Sequence, residues 1–318
     1  MISNSPVGAP IKLNDMLQAM IKTTFSRLSA AGIAGLLIAC GGNEKQAAGN
    51  ESEVKVLRFS AIPDEDTTAQ KERFQPVADY LSEALGITVE FVPSINYGAS
   101  VEKFENNDVQ LAWFGGVTGV QAMTRVEGAR ALVAGEKDLA FKSYFIANAS
   151  TGLEASDDFP AAIADLKFTY GSSSSTSGCI MPSHFIIENT GKTPMEFFKE
   201  KPGFSGAHDK TAMLVQDGSF EAGALSFGTY EKLVAAGKID PEKCVKIWET
   251  PTYADYNMTA HPSLEETFGK GFLDKLQKAL VDCKDEGALK ALSRERLVPV
   301  DNETFAGIAA VMEKVSFD

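Results

Sequence analysis

The sequence predicts an α/β fold of two lobes, each built on an open parallel sheet with helices on both faces. Short β-type runs alternate with helix-type segments along most of the chain, which is the pattern of parallel sheets with crossover helices. With 318 residues, 44% of them hydrophobic, the chain is long and apolar enough to form two lobes. Ligands of such folds bind at the carboxyl ends of the strands, so we expect a site in the cleft between the lobes.

The first lobe begins as a β-α-β-α-β unit. Its first strand reads VKVLRFSAI, and the helix that follows, TTAQKERFQPVADYLSEALG, places Phe74, Val77 and Leu81 on one face before Gly86 ends it. The next segments are the strand ITVEFV, the short helix YGASVEKFENN and the strand VQLAWFG. The last of these is apolar throughout its centre, as buried parallel strands are.

The alternation continues into the second lobe and then changes. A helix, GVTGVQAMTRV, is followed by the strands ARALVAGE and KSYFIANAS, the acidic loop TGLEASDDFP, and then FTYG, IMPSHFIIENTG, KTAMLVQDG, AGALS and YEKLVAAGK. After VKIWETP, the helices FGKGFLDKLQKALVDC and ETFAGIAAVMEKV have no strand between them, so we expect them to pack on the first sheet. We therefore predict that lobe 1 comprises residues 54–147 plus 251–318 and lobe 2 comprises residues 148–250, with crossover strands at 142–149 and 245–251.

The composition excludes several functional classes. The formal charge of −13 and the lack of a basic cluster argue against a nucleic-acid partner. The three histidines and four cysteines form no C-x-x-C pair or other metal spacing, and no nucleotide-binding glycine motif occurs, so we expect no cofactor and no metal. Ser205 lies in GFSGA, which lacks the last glycine of the hydrolase motif G-x-S-x-G, and we therefore expect no enzymatic activity.

The N-terminal region has the pattern of an export signal. Residues 20–40 read MIKTTFSRLSAAGIAGLLIAC, in which Lys22 and Arg27 precede an uncharged apolar run. That run is shorter than the ~20 apolar residues that a membrane-spanning helix needs. Residues 1–19 include Asp15 ahead of the basic region, which fits a signal badly, and we interpret them as a misassigned start. The prediction is that residues 1–39 are a signal peptide.

The end of this run resembles the lipobox of bacterial lipoproteins. Residues 37–40 read LIAC, and the polar string GGNEKQAAGNESE follows at once. The resemblance implies that Cys40 is lipidated and that residues 40–53 form a polar tether; the alternative is a small core cysteine. The protein would then be exported to the periplasm or cell surface and held at the membrane by its lipid anchor alone. The three other cysteines allow at most one disulfide, and the sequence does not say which.

Three polar loops follow predicted strands. Residues 171–178, GSSSSTSG, stand between a strand and a helix, where free backbone N–H groups and the helix dipole favour an anion; the alternative is a flexible serine-rich linker. In WFGGVT at 113–118, glycines allow the backbone to approach a ligand closely. The third loop, GFSGAHD at 203–209, contains His208, which alone is more often a structural histidine.

In combination these loops resemble those of a known family. The features are Asn96 and Tyr97 before a helix, AWFG at 112–115, STSG at 175–178 and SGAH at 205–208. From its first strand to its C-terminus the chain resembles the substrate-binding proteins of phosphonate and related oxyanion ABC transporters, which include phosphonate, phosphite and phosphate binders and relatives named for selenate. The resemblance implies a periplasmic-binding-protein-like fold, with a ligand cleft between two open α/β domains that close like a hinged clam.

The resemblance also implies the site and the ligand class. The ligand-binding residues that it implies are Ser175, Thr176, Ser177, His208, Tyr97, Tyr144 and Asp255. Family members that bind aminophosphonates have a carboxylate where residues 227–230 read FGTY, so we expect a compact oxyanion of the phosphonate, phosphite or phosphate class. The expected partner is an ABC permease, and we expect the protein to be a monomer. Alternatives are a selenate-type oxyanion binder, a ligand receptor for a membrane sensor, or an exported enzyme of the same fold.

Overall fold

The structure, a computed structural model, describes residues 55–65 and 67–315. The predicted signal peptide, the lipidation of Cys40 and the tether lie outside the described residues. Among those described, no helix has the length and apolar character needed to cross a membrane. The described residues belong to a single compact unit, which contains two β-sheets.

Eleven strands make up these sheets in the described part of the chain. They are β1 (Val56–Ala61), β2 (Thr88–Phe91), β3 (Leu111–Phe114), β4 (Arg130–Gly135), β5 (Ser143–Asn148), β6 (Phe168–Tyr170), β7 (Gly203–Phe204), β8 (Ala222–Ser226), β9 (Cys244–Glu249), β10 (Asn257–Ala260) and β11 (Leu297–Pro299). The first sheet has the order β11-β4-β10-β3-β1-β2, and the second has the order β7-β6-β8-β5-β9. We call the first sheet with its helices lobe 1 and the second sheet with its helices lobe 2.

The α-helices lie between and after the strands. They are α1 (Gln70–Leu85), α2 (Tyr97–Glu105), α3 (Gly116–Arg125), α4 (Met181–Thr190), α5 (Pro194–Phe197), α6 (His208–Gln216), α7 (Phe227–Ala235), α8 (Ser263–Phe268), α9 (Phe272–Val281), α10 (Glu286–Leu292) and α11 (Ala306–Met312). The apolar face predicted for α1 is buried, and Gly86 ends that helix with a φ of +70°, a left-handed conformation that glycine adopts without strain. Asn96 begins α2, where its side chain accepts a hydrogen bond from the Ala99 amide at 2.8 Å.

Both sheets are mixed, whereas the sequence predicted parallel sheets. Strand β1 is parallel to β2 and β3, but β10 runs antiparallel between β3 and β4. In lobe 2, β6 is parallel to β7 and β8, and β5 runs antiparallel between β8 and β9. The cause is the route of the chain. Ser143 at the start of β5 pairs with Ser226 at the end of β8, and Asn257 at the start of β10 pairs with Phe114 at the end of β3. Each returning strand therefore enters its sheet from the carboxyl edge.

The two lobes are joined by two crossover segments. Residues 136–142 lead from β4 to β5, and residues 250–256 lead back from β9 to β10. They pair with each other at Phe141 and Tyr253, whose backbone amides donate to each other's carbonyls at 2.8 and 3.0 Å. Strand β5 belongs to the second sheet and lies within residues 142–149, which the sequence analysis assigned as the first crossover strand.

The C-terminal helices follow β10, but they are not free of strands. The three-residue strand β11 separates α10 from α11 and forms the edge of the first sheet beside β4, so the expectation of no intervening strand is wrong. This strand reads LVP, and its proline suits an edge strand, where a missing N–H costs no ladder bond. Three residues ending in proline give too weak a pattern to be found from the sequence.

Candidate ligand-binding site

The serine-rich loop of lobe 2 folds into a buried turn. After β6, Ser175 begins a five-residue π-helical turn, Thr176–Ile180, which continues into α4. The Ser175 hydroxyl accepts the Gly178 amide at 3.0 Å, and its own amide donates to the Ser172 carbonyl at 2.9 Å. Ser175, Thr176 and Ser177 are each at most 2% exposed. A buried, hydrogen-bonded helix start agrees with an anion cradle and disagrees with a flexible linker.

Lobe 1 brings a second helix start against this turn. The Val117 amide donates to Thr176 Oγ1 at 2.9 Å, and the Gly116 amide donates to Asp255 Oδ1 at 2.8 Å. A Cβ atom at Gly115 would lie 3.2 Å from both Thr176 Oγ1 and Asp255 Oδ1, which is tighter than ordinary contact. The glycines after β3 thus let the start of α3 approach Thr176 and Asp255 closely, whereas the sequence analysis expected them to let the backbone approach a ligand.

Two buried polar atoms beside the cradle have no hydrogen-bond partner among the described residues. They are the Tyr97 hydroxyl and Asp255 Oδ2. Burial raises the pKa of Asp255 to about 7, against the opposing effect of the Gly116 amide. Burial also raises the pKa of Tyr97 well above 10, and the charges of Asp64 and Asp255 add to the effect. Orphaned buried polar groups are costly in a folded protein, so they point to a partner such as a bound ligand.

His208 lies at the start of α6 and reaches the cradle. A Cβ atom at Gly178 would come within 3.0 Å of the imidazole. Burial lowers the pKa of His208 to about 4, although Asp64 opposes this, and the ring is therefore neutral near pH 7. Its Nδ1 accepts the Ser226 amide at 3.3 Å, which leaves Nε2 as the N–H donor.

Tyr144 does not join the other predicted residues. Its hydroxyl donates to Glu231 at 2.9 Å, and its ring packs against Phe227 and Tyr230. Side chains alternate along a strand, so the preceding Ser143 points to the opposite face. There Ser143 donates to the Ser177 carbonyl at 2.7 Å.

Sequence reasoning did not include Ser143 or Tyr253 in the site. The Tyr253 hydroxyl lies 2.6 Å from Ser143 Oγ, which itself donates to the Ser177 carbonyl. Ser143 and Tyr253 therefore stabilise the turn that contains Ser177. The only signal in the sequence was their position. Ser143 is one residue from Tyr144, and Tyr253 is two residues from Asp255.

A cavity of about 410 Å³ opens between the lobes, and the predicted ligand-binding residues do not line it. Asp64 and Tyr256 line it from lobe 1, and residues 226–229 line it from lobe 2. Glu231 lines it as well, directly after the stretch in which the sequence analysis found no acid. This carboxylate already accepts the Tyr144 hydroxyl, so part of its hydrogen-bonding capacity is used.

The two largely buried arginines near the site are paired with carboxylates. Arg73 Nη1 lies 3.0 Å from Asp64 Oδ1, and Arg294 Nη2 lies 2.5 Å from Asp138 Oδ1. The cradle itself therefore offers hydroxyls, amides and a neutral imidazole. Such groups suit an anion that is recognised by directed hydrogen bonds.

These features define a class: a two-lobed protein in which two helix starts and buried polar side chains face each other between the lobes. The chain belongs to the family described as "ABC transporter, phosphonate, periplasmic substrate-binding protein", whose family model matches residues 59–305. The family and its relatives make this chain a binding protein of ABC phosphonate or phosphite transport, and not an enzyme. The periplasmic-binding-protein-like fold predicted from the sequence is confirmed.

Several relatives are similar over most of the chain. The probable ABC transporter phosphite binding protein PhnD1 of Prochlorococcus marinus (strain MIT 9301) is 33% identical over 273 residues, 83% of this chain and 91% of that protein. The solved structure of PhnD1 in complex with methylphosphonate has a TM-score of 0.76 and covers 82% of this chain and 98% of its own. The phosphonates-binding periplasmic protein of Escherichia coli (strain K12) is 22% identical over 260 residues, 79% of this chain and 76% of that protein.

Proposed function

We propose that the chain binds a compact oxyanion of the phosphonate, phosphite or phosphate class in the cradle and delivers it to an ABC permease. The residues that would contact the ligand are Ser175, Thr176, Ser177, Tyr97, His208 and Asp255. The observation that carries the proposal is the pair of orphaned polar atoms, Tyr97 Oη and Asp255 Oδ2, buried beside two facing helix starts. The phosphite name of one relative and the methylphosphonate in its structure support the choice of a small ligand.

Each contact has a defined chemical role. Hydroxyls of the cradle, the Tyr97 phenol and Nε2–H of the neutral His208 donate hydrogen bonds to oxygens of the anion. The role of Asp255 depends on whether its carboxyl group is protonated. When ionised, it only accepts, so the ligand must supply a proton; when protonated, it donates to a fully deprotonated oxygen. One proton is therefore shared between Asp255 and the ligand.

A binding panel tests the choice of ligand. Calorimetry on the purified protein would compare phosphite, phosphate, methylphosphonate, 2-aminoethylphosphonate, sulfate, selenate and molybdate. We expect tight binding of one of the first three at neutral pH. Tight binding of 2-aminoethylphosphonate would instead assign Glu231 to an ammonium group, and preference for selenate would favour the selenate-type alternative. If the Ser175/Thr176/Ser177 triple alanine variant bound its anion normally, the assigned site would be wrong.

An uptake experiment distinguishes a role in transport from a role in sensing. Cells that lack the chain should lose accumulation of the preferred anion and regain it with the wild-type chain, because a transport component is needed for flux. Unchanged uptake with an altered transcriptional response to the anion would favour the receptor for a membrane sensor.

We also propose that the mature chain begins at a lipidated Cys40 and is held at the membrane through that lipid alone. The support is the lipobox-like sequence LIAC at residues 37–40. Cys40→Ser should release the protein from the membrane fraction and leave its affinity for phosphite unchanged. Intact-mass measurement of an unmodified chain that retains residues before Cys40 would refute the proposal.

A further inference from the structure

Arg294 is a buried guanidinium that joins the C-terminal part of lobe 1 to the first crossover. Its Nε lies 2.6 Å from Asp138 Oδ2, and its Nη2 lies 2.5 Å from Asp138 Oδ1. Asp138 Oδ2 also accepts the Gly135 amide at 2.8 Å. The Asp138 side chain is fully buried, so this bidentate pair fixes the first crossover where it leaves β4.

The same pair holds the second crossover at Asp255. The Asp255 amide donates to the Asp138 carbonyl at 2.9 Å. The backbone of Asp255 is therefore held by Asp138, which Arg294 fixes in place. On the other side of Asp255, the Arg294 guanidinium lies over the Tyr256 ring at 4.9 Å from its centroid. Tyr256 in turn stacks on Trp113 with ring centroids 5.7 Å apart. Arg294 thus restrains residues 255–256 through two independent contacts.

The pair also contributes to the electrostatics of Asp255, although burial has the largest effect on that carboxyl. The titratable or polar groups that act on this carboxyl from neighbouring elements, or that respond to its charge, are Asp138, Gly116, Thr176, Ser177, Tyr97, Tyr253 and Tyr256. Among them Asp138 is the group whose negative charge disfavours ionisation of Asp255. Arg294 opposes this charge, because it is the cation paired with Asp138.

We propose that Arg294 and Asp138 are positioning residues for anion recognition, because their buried ion pair holds Asp255 so that its free carboxylate oxygen faces the bound ligand. This inference rests on the proposed function of the cradle. The ion pair contacts Asp255 through the backbone and acts on it through charge, and it does not touch the ligand.

Asp138→Asn gives a signature that a merely structural role would not give. The change removes the Asp138 charge, which disfavours ionisation of Asp255, and leaves the Arg294 charge in place. Both effects favour ionised Asp255, so its titration midpoint should move to lower pH. Carbon-13 NMR of side-chain carboxyls in the ligand-free protein measures this midpoint, with the Asp255 signal identified by its loss in Asp255→Asn. An unchanged midpoint would overturn the electrostatic part of the proposal.

Arg294→Lys tests positioning, since lysine keeps the charge but cannot make the bidentate contact. We expect affinity for phosphite to fall by about tenfold or more. The matched control is Arg296→Gln, which breaks the exposed ion pair with Glu136 in the same crossover and should leave both phosphite affinity and the Asp255 midpoint unchanged. A folded Arg294→Lys variant that binds phosphite like wild type would overturn the positioning role.

Failure of the positioning role can be distinguished from failure of the proposed binding site. If Thr176→Ala also bound phosphite normally, the proposed binding site would be wrong, whereas the midpoint of Asp255 would still report its coupling to Asp138. If Arg294→Lys did not fold, as judged by circular dichroism, the Asp138→Asn titration would decide the proposal.

Discussion

Recognition of an anion by an acidic protein has to rely on short-range contacts. The chain has a formal charge of −13, so its long-range field repels anions. Hydrogen bonds from hydroxyls and amides act only at contact distance, and they are stronger when the acceptor is charged. Thr176 is placed best for this, since it lies at the start of a helix in lobe 2 and accepts the Val117 amide from lobe 1.

Thr176→Ala and Ser177→Ala should each weaken phosphite binding. A hydrogen bond to a charged group contributes ~1.5–3 kcal/mol, so each change should cost about ten- to a hundredfold in affinity. Tyr97→Phe should cost less, because no group that the structure describes depends on the Tyr97 hydroxyl, whereas Thr176→Ala also removes the acceptor of the Val117 amide. Calorimetry with phosphite measures the effect, with the exposed Ser173→Ala in the same loop as control. Wild-type affinity in Thr176→Ala would contradict the assignment.

Asp255 should make the preference for anions depend on pH. Its pKa of about 7 is raised above the ordinary value, so the carboxyl is protonated below pH 7 and ionised above it. Sulfate carries no proton near neutral pH, and its affinity should therefore fall about tenfold per pH unit above pH 7.

Asp255→Asn should remove this dependence, because an amide is neutral and can donate at every pH. Calorimetry with sulfate from pH 5.5 to 8.5 measures both effects, with exposed Asp158→Asn as control. A sulfate affinity that is the same across this range in the wild type would rule out a proton-dependent filter.

At the scale of elements, the sequence predicted the existence of most strands and helices but not their directions. Apolar periodicity identifies α1 and β3 because burial on one or both faces determines their residues. Whether β5 runs parallel or antiparallel depends on where the chain enters the second sheet, and local sequence does not record this. Tyr144 was assigned to the cleft by the family resemblance alone, and its hydroxyl contacts Glu231, whereas the neighbouring Ser143 contacts the Ser177 carbonyl.

The loops of the site were more predictable than the sheets. Glycine and hydroxyl residues at 113–118 and 171–178 are unusual between a strand and a helix, and both loops do meet at the cradle. Their partner in the second crossover, Asp255, came from the family resemblance alone. Arg294 could not be found from sequence, because its pairing with Asp138 joins residues far apart in the chain.

Gly115→Ala should weaken ligand binding through the helix start of α3. The new Cβ would lie 3.2 Å from Thr176 Oγ1 and Asp255 Oδ1, so both groups would have to shift by a few tenths of an ångström. We expect about tenfold lower phosphite affinity with little change in the thermal unfolding midpoint, because Gly115 has an ordinary φ of −78°. The control Gly307→Ala places a methyl group with no atom within 4 Å and should leave binding unchanged. Equal affinities for the two variants would contradict the close approach.

At the scale of the whole molecule, two crossovers and a few contacts across the cleft suit a hinged closure. Besides the contact between Val117 and Thr176, the His208 amide donates to the Asp64 carbonyl at 3.0 Å. Lys232 Nζ of lobe 2 lies 2.6 Å from Glu65 Oε2 of lobe 1. A ligand that contacts both lobes favours the closed state by the difference between its contacts in the two states.

Lys232→Met should weaken phosphite binding by destabilising the closed state. The ion pair with Glu65 is partly exposed, so it contributes about 0.2–1 kcal/mol, or up to about fivefold in affinity. The effect should appear as faster release, since the pair forms only when the lobes meet. Exchanging the charges in a Lys232→Glu/Glu65→Lys variant should restore much of the loss. Stopped-flow release and X-ray scattering measure the two consequences, and scattering should show a smaller radius of gyration with phosphite. The control is Lys199→Met, which breaks the exposed pair with Asp165 inside lobe 2 and should change neither quantity. A radius of gyration that is the same with and without saturating phosphite would refute closure, because the ion pair could then gain nothing from the ligand.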